Sequence, residues 1–196
     1  MKLLIATSNP GKLREYKELL KGLPFELTYL PEEGIDFEVQ EAGQSFAENA
    51  RLKASSYARA SGLLTLADDS GLEVDALGGE PGVRSARYAG ENAGDEERYL
   101  LLLKKLEGVP WERRTARFRC VLALATPEGE IYLMEGVREG IIAFGPRGEH
   151  GFGYDPVFYM PEYGRTMAEL LPEEKNLLSH RAQAVEKMKE ILKYFI

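Results

Sequence analysis

The sequence contains little cysteine and histidine, and this scarcity excludes several kinds of protein. Cys120 is the single cysteine among 196 residues, so a disulfide within one chain is excluded. Because Cys120 lies in the mostly apolar stretch 117–125, we expect it to pack in the core and not to act as a catalytic thiol. The two histidines, His150 and His180, do not have the spacing of a zinc-binding pair.

Long apolar runs are also missing. The longest leucine run, 100–103, is far shorter than the roughly 20 residues that span a membrane. The first ten residues contain only the apolar run 3–6, whereas a signal peptide has about 7–15 apolar residues. We therefore expect a cytoplasmic protein without a membrane partner.

Positive charge is in deficit as well. There are 25 basic against 32 acidic residues, which gives a net charge of −7. A chain without a basic face is not typical of a dedicated nucleic-acid-binding protein, although a few lysines and arginines can still hold a small polyanion. The length and the 44% hydrophobic content fit one domain with its own core, so we predict a single domain over residues 1–196.

Apolar periodicity and turn residues predict alternating strands and helices. The second helix has the clearest boundaries, because Ser45 and Glu48 resemble a capping box and Gly62 can close the helix. The predicted strands are 2–6, 25–30, 63–67, 115–126 and 131–138, and the predicted helices are 12–20, 45–61, 93–106 (with Asp95 as its cap) and 179–194. Because helices alternate with strands early and a hairpin follows, we predict an α/β fold with a mixed sheet.

The first chemically informative segment joins the first strand to the first helix. A helix N-terminus offers backbone N–H groups and partial positive charge, which suits phosphate, and Lys12 adds a full charge. The spacing is not that of a Walker A loop, and a helix cap with an incidental lysine is the alternative. The candidate phosphate-binding residues are Thr7, Ser8, Asn9, Pro10, Gly11 and Lys12.

Acidic residues form the second candidate feature. Asp68 and Asp69 follow the apolar strand 63–67, and ligands of α/β sheets bind at strand ends. Close carboxylates suit a hard divalent cation, and one of them can act as a base; the alternative is a solvated turn. Glu38 and Glu41 are further metal-ligand candidates. Asn49 and Lys53 lie four apart in the second helix, which ordinarily indicates only an exposed polar stripe.

Aromatic and basic residues of the C-terminal third are the third feature. Phe152 and Tyr154 lie between glycines, where an aromatic ring can stack on a nucleobase and Asp155 can accept a hydrogen bond from it. The alternative is an aromatic plug at the edge of the core. Lys175, His180 and Arg181 lie just before and at the start of the last helix. Cations are unfavourable there, which indicates a bound anion or an acceptor atom of a base. For the glycine-rich loop 77–88 we favour a structural over a chemical role.

Five blocks together resemble the inosine triphosphatase, or Ham1-like, family of non-canonical purine nucleotide pyrophosphatases. They are TSNPGK (7–12), SFAENA (45–50), ADDSGLEVDALGGEPGVRSARYAG (67–90), GFGYDP (151–156) and KNLLSHRA (175–182). Each block is weak alone, but five in this order cover nearly the whole chain. The resemblance implies an elongated mixed sheet with flanking helices and two lobes around a central nucleotide cleft. It also implies a homodimer that uses Mg²⁺ to hydrolyse XTP, ITP and dITP to the monophosphate and pyrophosphate, which removes them from the nucleotide pool.

The resemblance also assigns residues. It implies that residues 7–12 hold the triphosphate, that Asp69 is the general base, and that Ser70 touches the substrate. The residues implied to line the purine and phosphate sites are Phe152, Gly153, Tyr154, Asp155, Lys175, His180 and Arg181. The implied metal ligands are Asp69, Asp68 and Glu41, and Glu41 ranks above Glu38. The chain departs from the family pattern here, since relatives often have two adjacent acids where it has Gln40-Glu41.

Hydrogen-bond chemistry gives an expectation for base selectivity. The six-oxygen of hypoxanthine and xanthine is an acceptor, whereas the six-amino group of adenine is a donor. Arg181 and nearby backbone N–H groups offer only donors, and two facing donors cost about 1–3 kcal/mol each when buried. We therefore expect Arg181→Ala to narrow the preference for ITP over ATP.

Overall fold

The computed structural model describes residues 1–196, and its strands form one mixed seven-stranded sheet in the order β2-β1-β3-β4-β5-β6-β7. The strands are β1 Lys2–Ile5, β2 Glu26–Tyr29, β3 Leu64–Val74, β4 Thr115–Ala125, β5 Ile131–Ile142, β6 Phe158–Met160 and β7 Arg165–Thr166. The helices are α1 Pro10–Leu19, α2 Phe46–Ser61, α3 Asp95–Lys105, α4 Pro172–Leu178 and α5 His180–Leu192. Strand β1 pairs in parallel with β2 and β3, whereas β6 pairs antiparallel with β5 and β7. The predicted α/β class with a mixed sheet is confirmed.

The chain folds into two compact units. The first contains residues 1–69, 120–136 and 181–196, and the second contains residues 70–119 and 137–180. Each unit has a separate hydrophobic core. The single domain over 1–196 therefore stays a prediction, and the units are described one at a time below. None of the helices combines the length and the apolar composition that a bilayer-spanning segment requires.

The core of the first unit lies between its strands and helices α1 and α5. Strand β1 is buried because Leu3 and Ile5 have neighbours on both sides, with Leu64 and Leu66 of β3 as their register partners. Helices α1 and α5 contribute apolar residues at helical spacing, which bury one face of each helix. The buried members are Leu3, Ile5, Tyr16, Leu19, Leu20, Leu64, Leu66, Cys120, Leu122, Leu124, Ala182, Ala184, Val185, Met188 and Leu192. Cys120 is fully buried, which confirms the expectation of a core cysteine.

Local capping chemistry sets the ends of α2. Ser45 accepts a hydrogen bond from Glu48 N at 3.2 Å, and Gly62 closes the helix in the left-handed conformation at φ 67°. The Glu48 carboxylate bonds Gln44 N at 2.7 Å, one residue before the bond of a capping box. The prediction of this helix is confirmed.

Some predicted elements and boundaries differ from the structure. Strand β3 does not end at residue 67 but continues through Asp68 and Asp69 to Val74. The predicted helix 179–194 is confirmed as α5, which begins at His180, whereas helix α4, which ends just before Ser179, was not predicted. Helix α3 begins after Gly94, so Asp95 lies in its first turn instead of capping it.

A buried arginine organises the core of the second unit. Arg114 is 3% exposed, and its guanidinium donates to the carbonyls of Leu106, Val109, Ile142 and Ala143 at 2.7 to 3.3 Å. The planar fork thereby satisfies the end of α3 and the end of β5 together. Around it lie the buried residues Leu72, Val74, Leu102, Leu106, Ala116, Phe118, Ile142, Tyr154, Val157, Phe158, Met160, Met167 and Leu170.

We expect Arg114→Lys to lower the free energy of unfolding by about 2–3 kcal/mol, because an ammonium group cannot reach four carbonyls arranged for a guanidinium. The melting temperature should fall by roughly 4–12 °C in calorimetry. The matched control is Arg113→Lys, since Arg113 is the exposed neighbour and should melt like the wild type. Equal melting of all three proteins would contradict the role given to Arg114.

Candidate active site

Strand β3 presents Asp68 and Asp69 to two different sets of partners in the first unit. Successive strand residues point to opposite faces, and the strand continues through both acids. Asp68 accepts a hydrogen bond from Lys12, whereas Asp69 accepts one from Asn49. The two carboxylates are therefore not equivalent, although they are adjacent in the sequence.

Asp68 is enclosed by cations. Its Oδ2 lies 2.8 Å from Lys12 Nζ and 3.6 Å from Arg181 Nη2, and only 1% of its side chain is exposed. Burial alone would raise the pKa of Asp68, but the charges of Lys12 and Arg181 outweigh it and hold that pKa well below its ordinary value. Arg181 Nη1 also lies 2.5 Å from Glu15 Oε2. Asp68 is thus a permanent anion in a buried ion-pair network.

The β1–α1 turn is held in shape by its own side chains. Asn9 Oδ1 accepts hydrogen bonds from Gly11 N at 2.8 Å and Lys12 N at 3.1 Å, and Thr7 Oγ1 accepts one from Asn9 N at 3.2 Å. This is the helix cap that the sequence left open as the alternative. The residues that form this cap are also candidate phosphate-binding residues, and Ser8, Asn9 and Pro10 are exposed at the N-terminal end of α1. Phosphate recognition by this turn stays a prediction.

Asp69 is a buried carboxylate with a displaced pKa. Its residue is 4% exposed, and its Oδ2 accepts from Asn49 Nδ2 at 2.9 Å. Burial raises the pKa of Asp69 from its ordinary value of 3.8 to about 6, and the nearby Glu41 adds to the rise against the opposing charges of Lys53 and Lys12. A carboxylate with a pKa near neutrality is suited to take up a proton.

Two side chains of α2 belong to this site, although their spacing alone indicated only an exposed stripe. Asn49 is buried, and Lys53 forms an ion pair with Glu41. Burial lowers the pKa of Lys53, but the charges of Asp68, Glu41 and Asp69 outweigh it and raise that pKa. The signal that could have found both residues is their i, i+4 spacing in a helix directly preceded by an acidic loop.

Asp69 and Glu41 fit a divalent cation. Both are hard oxygen donors, and the charge of Glu41 raises the pKa of Asp69, a repulsion that a bound cation would relieve. No group of three or more histidine, cysteine or acidic side chains converges as a metal site. Mg²⁺ is commonly held by one or two carboxylates together with substrate phosphates and water, so two are sufficient. Asp68 Oδ2 is already engaged by cations, although its buried Oδ1 has no hydrogen-bond partner.

In the second unit, Asp155 and Lys175 form a buried clamp on the aromatic loop. Asp155 Oδ2 accepts from Lys175 Nζ at 2.6 Å and from Phe152 N at 3.0 Å, and both side chains are less than a tenth exposed. Lys175 Nζ also lies 4.6 Å from the centre of the Phe152 ring. These contacts fix the position of Phe152. A direct hydrogen bond from a base to Asp155 stays a prediction.

The neighbouring residues hold the same loop from other sides. The Tyr154 hydroxyl donates to Ser85 O at 2.7 Å and is buried, so Tyr154 is the aromatic plug that the sequence left open. Gly153 N donates to Asp95 Oδ2 at 2.7 Å. The buried His180 ring stacks on Phe118 with ring centres 4.7 Å apart. The sequence pattern did not predict a role for Ser85. Its Oγ accepts a hydrogen bond from Leu72 N and so ties loop 77–88 to strand β3, which fits the structural role favoured for this loop.

The structure therefore distributes the predicted site residues over both units. The first unit contains residues 7–12, Glu41, Asp68, Asp69 and Arg181. The second contains Ser70, residues 152–155, Lys175 and His180. Glu38 is exposed, and its lower rank as a metal ligand stays a prediction.

The fold and the site together define a class of α/β protein with a mixed sheet and a buried acidic centre. In a comparison with solved structures, the chain is similar to the HAM1 protein from Coxiella burnetii, with a TM-score of 0.90 and 44% identity over 99% of both chains. The model of the Ham1 family matches residues 3–191. The chain belongs to the Ham1 family.

Two curated relatives are similar over nearly their whole length. The dITP/XTP pyrophosphatase of Geobacter sulfurreducens is 55% identical over 97% of this chain and 96% of the relative. The dITP/XTP pyrophosphatase of Bacillus subtilis is 49% identical over 96% of each chain. Family membership and these names agree with the resemblance on which the sequence analysis depended.

Proposed function

We propose that this protein is an enzyme that hydrolyses the non-canonical purine nucleoside triphosphates XTP, ITP and dITP to the monophosphate and pyrophosphate, thereby removing them from the nucleotide pool. The names of the Geobacter and Bacillus relatives support this activity. The observation that carries the proposal is Asp69, a buried carboxylate with a pKa of about 6 that has a second acid and two lysines close to it. That combination suits proton uptake beside a highly charged substrate.

Asp69 is the general base of the proposed reaction. It takes a proton from a water molecule, whose oxygen forms a bond to the α-phosphorus while the bond from that phosphorus to the bridging oxygen breaks. Pyrophosphate leaves with the electron pair of the broken bond. A positioned base contributes typically ~10²–10⁴-fold to such a step. Asn49 fixes the carboxylate through its hydrogen bond to Oδ2.

The remaining charges of the first unit bind and neutralise phosphate. Lys12 is held in place by Asp68, at the end of the turn formed by Thr7, Ser8, Asn9, Pro10 and Gly11. Asp69 and Glu41 would hold Mg²⁺, which, when bound, would stabilise negative charge on the phosphates. Lys53 forms an ion pair with Glu41 and thereby holds that carboxylate in position.

Residues of the second unit bind the purine. Phe152 is half-buried and is fixed by Asp155 and Lys175, so one ring is presented in a defined orientation for stacking. Ser70, His180 and the backbone around Gly153 supply the polar contacts. The protein selects purines with an oxygen at position 6 if the groups that face this position are hydrogen-bond donors. The amino group of adenine at the same position is itself a donor and would leave them unsatisfied.

The experiment that tests the proposal is product analysis with ITP, XTP, dITP, GTP and ATP in the presence of Mg²⁺. We expect equal amounts of monophosphate and pyrophosphate from ITP, XTP and dITP, and far slower release from ATP. Orthophosphate as the product would indicate a different hydrolase, and equal rates with all five would indicate a general pyrophosphatase. Binding without turnover in excess Mg²⁺ would indicate a nucleotide sensor.

We also infer that the protein is a homodimer. The resemblance to the family supports this inference. Light scattering in solution checks it, since a dimer has twice the chain mass of 21.9 kDa. A mass of one chain at micromolar concentration would contradict it.

A further inference from the structure

The segment that carries Glu41 has no regular structure of its own. Residues 35–43, here named the Glu41 loop, lie between β2 and α2 and contain neither helix nor strand. A loop of this kind needs partners outside itself for its backbone N–H and C=O groups. The proposed function requires that Glu41 face Asp69, so the contacts that hold this loop have functional consequences.

One stripe of helix α2 supplies these contacts. Asn49, Lys53 and Tyr57 follow one another at intervals of four residues and therefore share one face of the helix. Asn49 Oδ1 accepts from Gly43 N at 2.8 Å, and Lys53 forms an ion pair with Glu41. Each of the three residues thus holds a different part of the loop.

Tyr57 holds the part of the loop farthest in sequence from α2. Its hydroxyl accepts a hydrogen bond from Val39 N at 3.2 Å and donates one to Phe37 O at 3.3 Å. Its ring stacks on Phe37, with ring centres 5.5 Å apart and an angle of 28° between the planes. Tyr57 is 4% exposed and Phe37 is 46% exposed, so the loop covers the tyrosine. Both hydrogen bonds go to the backbone of the loop and neither goes to a carboxylate.

We propose that Tyr57 is a positioning residue that anchors the Glu41 loop on α2 and thereby holds Glu41 in place to bind a divalent cation together with Asp69. The proposal rests on the proposed function and deepens it. Tyr57 acts only through the loop, whereas Asn49 and Lys53 contact the acids themselves. Side chains that orient a metal ligand typically change metal affinity by ~10–100-fold when they are removed.

The first test measures the loop directly, without nucleotide or metal. Hydrogen exchange of the amides of residues 37–43 is compared between the wild type, Tyr57→Phe and Tyr57→Ala. We expect the Val39 amide to exchange about five- to tenfold faster in Tyr57→Phe, because that variant lacks the hydroxyl that accepts from Val39 N, and faster still in Tyr57→Ala. Unchanged exchange in both variants overturns the proposal.

The second test measures the Mg²⁺ concentration that gives half-maximal pyrophosphate release from ITP. We expect this concentration to rise about threefold in Tyr57→Phe and at least about tenfold in Tyr57→Ala, with the rate at saturating Mg²⁺ reduced less than threefold. A merely structural role would lower the amount of active enzyme without moving the Mg²⁺ dependence. Faster exchange with an unchanged Mg²⁺ dependence therefore also overturns the proposal.

Two further variants keep the tests decisive. Phe37→Ala removes the exposed half of the stacked pair with little risk to the fold. Because both hydrogen bonds of the Tyr57 hydroxyl go to the loop backbone and remain, it should reproduce part of the effect of Tyr57→Ala and add nothing to it in the double variant. Tyr29→Phe is the matched control, because it removes a hydroxyl from β2 of the same unit and should behave as wild type. Additive effects of Phe37→Ala and Tyr57→Ala contradict a shared route through the loop.

Glu41→Gln separates failure of this inference from failure of the proposed function. If Glu41→Gln leaves the Mg²⁺ dependence unchanged, the metal site is overturned and the positioning role of Tyr57 falls with it. If Glu41→Gln raises the required Mg²⁺ concentration and Tyr57→Ala does not, the proposed function stands and only the role of Tyr57 is overturned.

Discussion

Asp69→Asn is expected to reduce pyrophosphate release from ITP by at least about 10³-fold while nucleotide binding stays within a few-fold of the wild type. The substitution keeps the shape of the side chain and an acceptor for Asn49, but it removes both the base and a negative charge for Mg²⁺. A base alone contributes ~10²–10⁴-fold, so the combined loss lies in the upper part of that range. Rapid-quench turnover and calorimetric titration with ITP measure the two quantities separately.

The same variant should be more stable than the wild type in the absence of Mg²⁺. A carboxyl whose folded pKa is raised to about 6 disfavours folding above that pH, and the penalty disappears as pH falls below its ordinary pKa of 3.8. This difference corresponds to at most about 3 kcal/mol at neutral pH. Asn carries no such penalty, so we expect the melting temperature at pH 7.5 to rise by about 2–6 °C.

Asp36→Asn is the matched control for both measurements. Asp36 is an exposed aspartate of the same unit, so its replacement should change neither turnover nor melting. Full pyrophosphate release by Asp69→Asn would remove Asp69 from the mechanism. A lower melting temperature would show instead that the Asp69 carboxylate stabilises the fold, which would contradict the destabilisation inferred from its raised pKa.

Local chemistry explains the parts of the fold that the sequence could predict. Asn9 and Ser45 are caps, and Gly62 adopts the left-handed conformation that a helix end favours. Each of these features depends on residues within a few positions of one another. The alternation of the predicted strands and helices along the chain then indicated the α/β class, which no single helix or strand determines.

The boundary of β3 could not be predicted because the forces that set it are long-range. Turns commonly have the composition of this segment, in which Asp68 and Asp69 are followed by Ser-Gly. The strand continues because Lys12 and Arg181, both distant in sequence, neutralise Asp68 within the core of the first unit. Asp69 is tolerated in the strand because Asn49 bonds it from α2.

The stripe on α2 shows the same limit. Asn49 and Lys53 have the spacing of an exposed polar face, yet the Glu41 loop covers them. Whether a loop covers a helix face depends on how that loop packs, and the helix sequence does not contain that information. The acidic loop immediately before α2 was the available signal, and it becomes informative only once the fold is known.

Arg181→Ala is expected to destabilise the protein more than any other single change considered above. Arg181 is 1% exposed and lies between the carboxylates of Glu15 and Asp68, so its removal takes a buried positive charge away from both, although Asp68 keeps its shorter contact with Lys12. Breaking a buried ion pair in this way costs about 3–5 kcal/mol. We expect the melting temperature to fall by roughly 6–20 °C, measured by calorimetry against the exposed control Arg14→Ala.

A double variant tests the physical reason for this loss. If the cost arises from an uncompensated carboxylate, Glu15→Gln should recover part of the stability in the Arg181→Ala background, although it destabilises the otherwise wild-type protein. Non-additivity of this kind is the expected signature of residues in one ion-pair network. If the losses of stability are additive, the cost arises instead from the lost packing of the long arginine side chain.

The ITP-over-ATP preference of Arg181→Ala, measured well below its melting temperature, then decides between two roles of the guanidinium. Both of its terminal nitrogens lie against carboxylates, so we expect the turnover of ITP and of ATP to fall together, about 10–100-fold, as Asp68 and Lys12 shift. A preference that narrows strongly would show that Arg181 also donates to the oxygen at position 6 of the purine, as we expected from a side chain that offers only donors. In that case the ion pairs with Glu15 and Asp68 would orient the guanidinium toward the base, and Glu15→Gln should also weaken the preference for ITP over ATP.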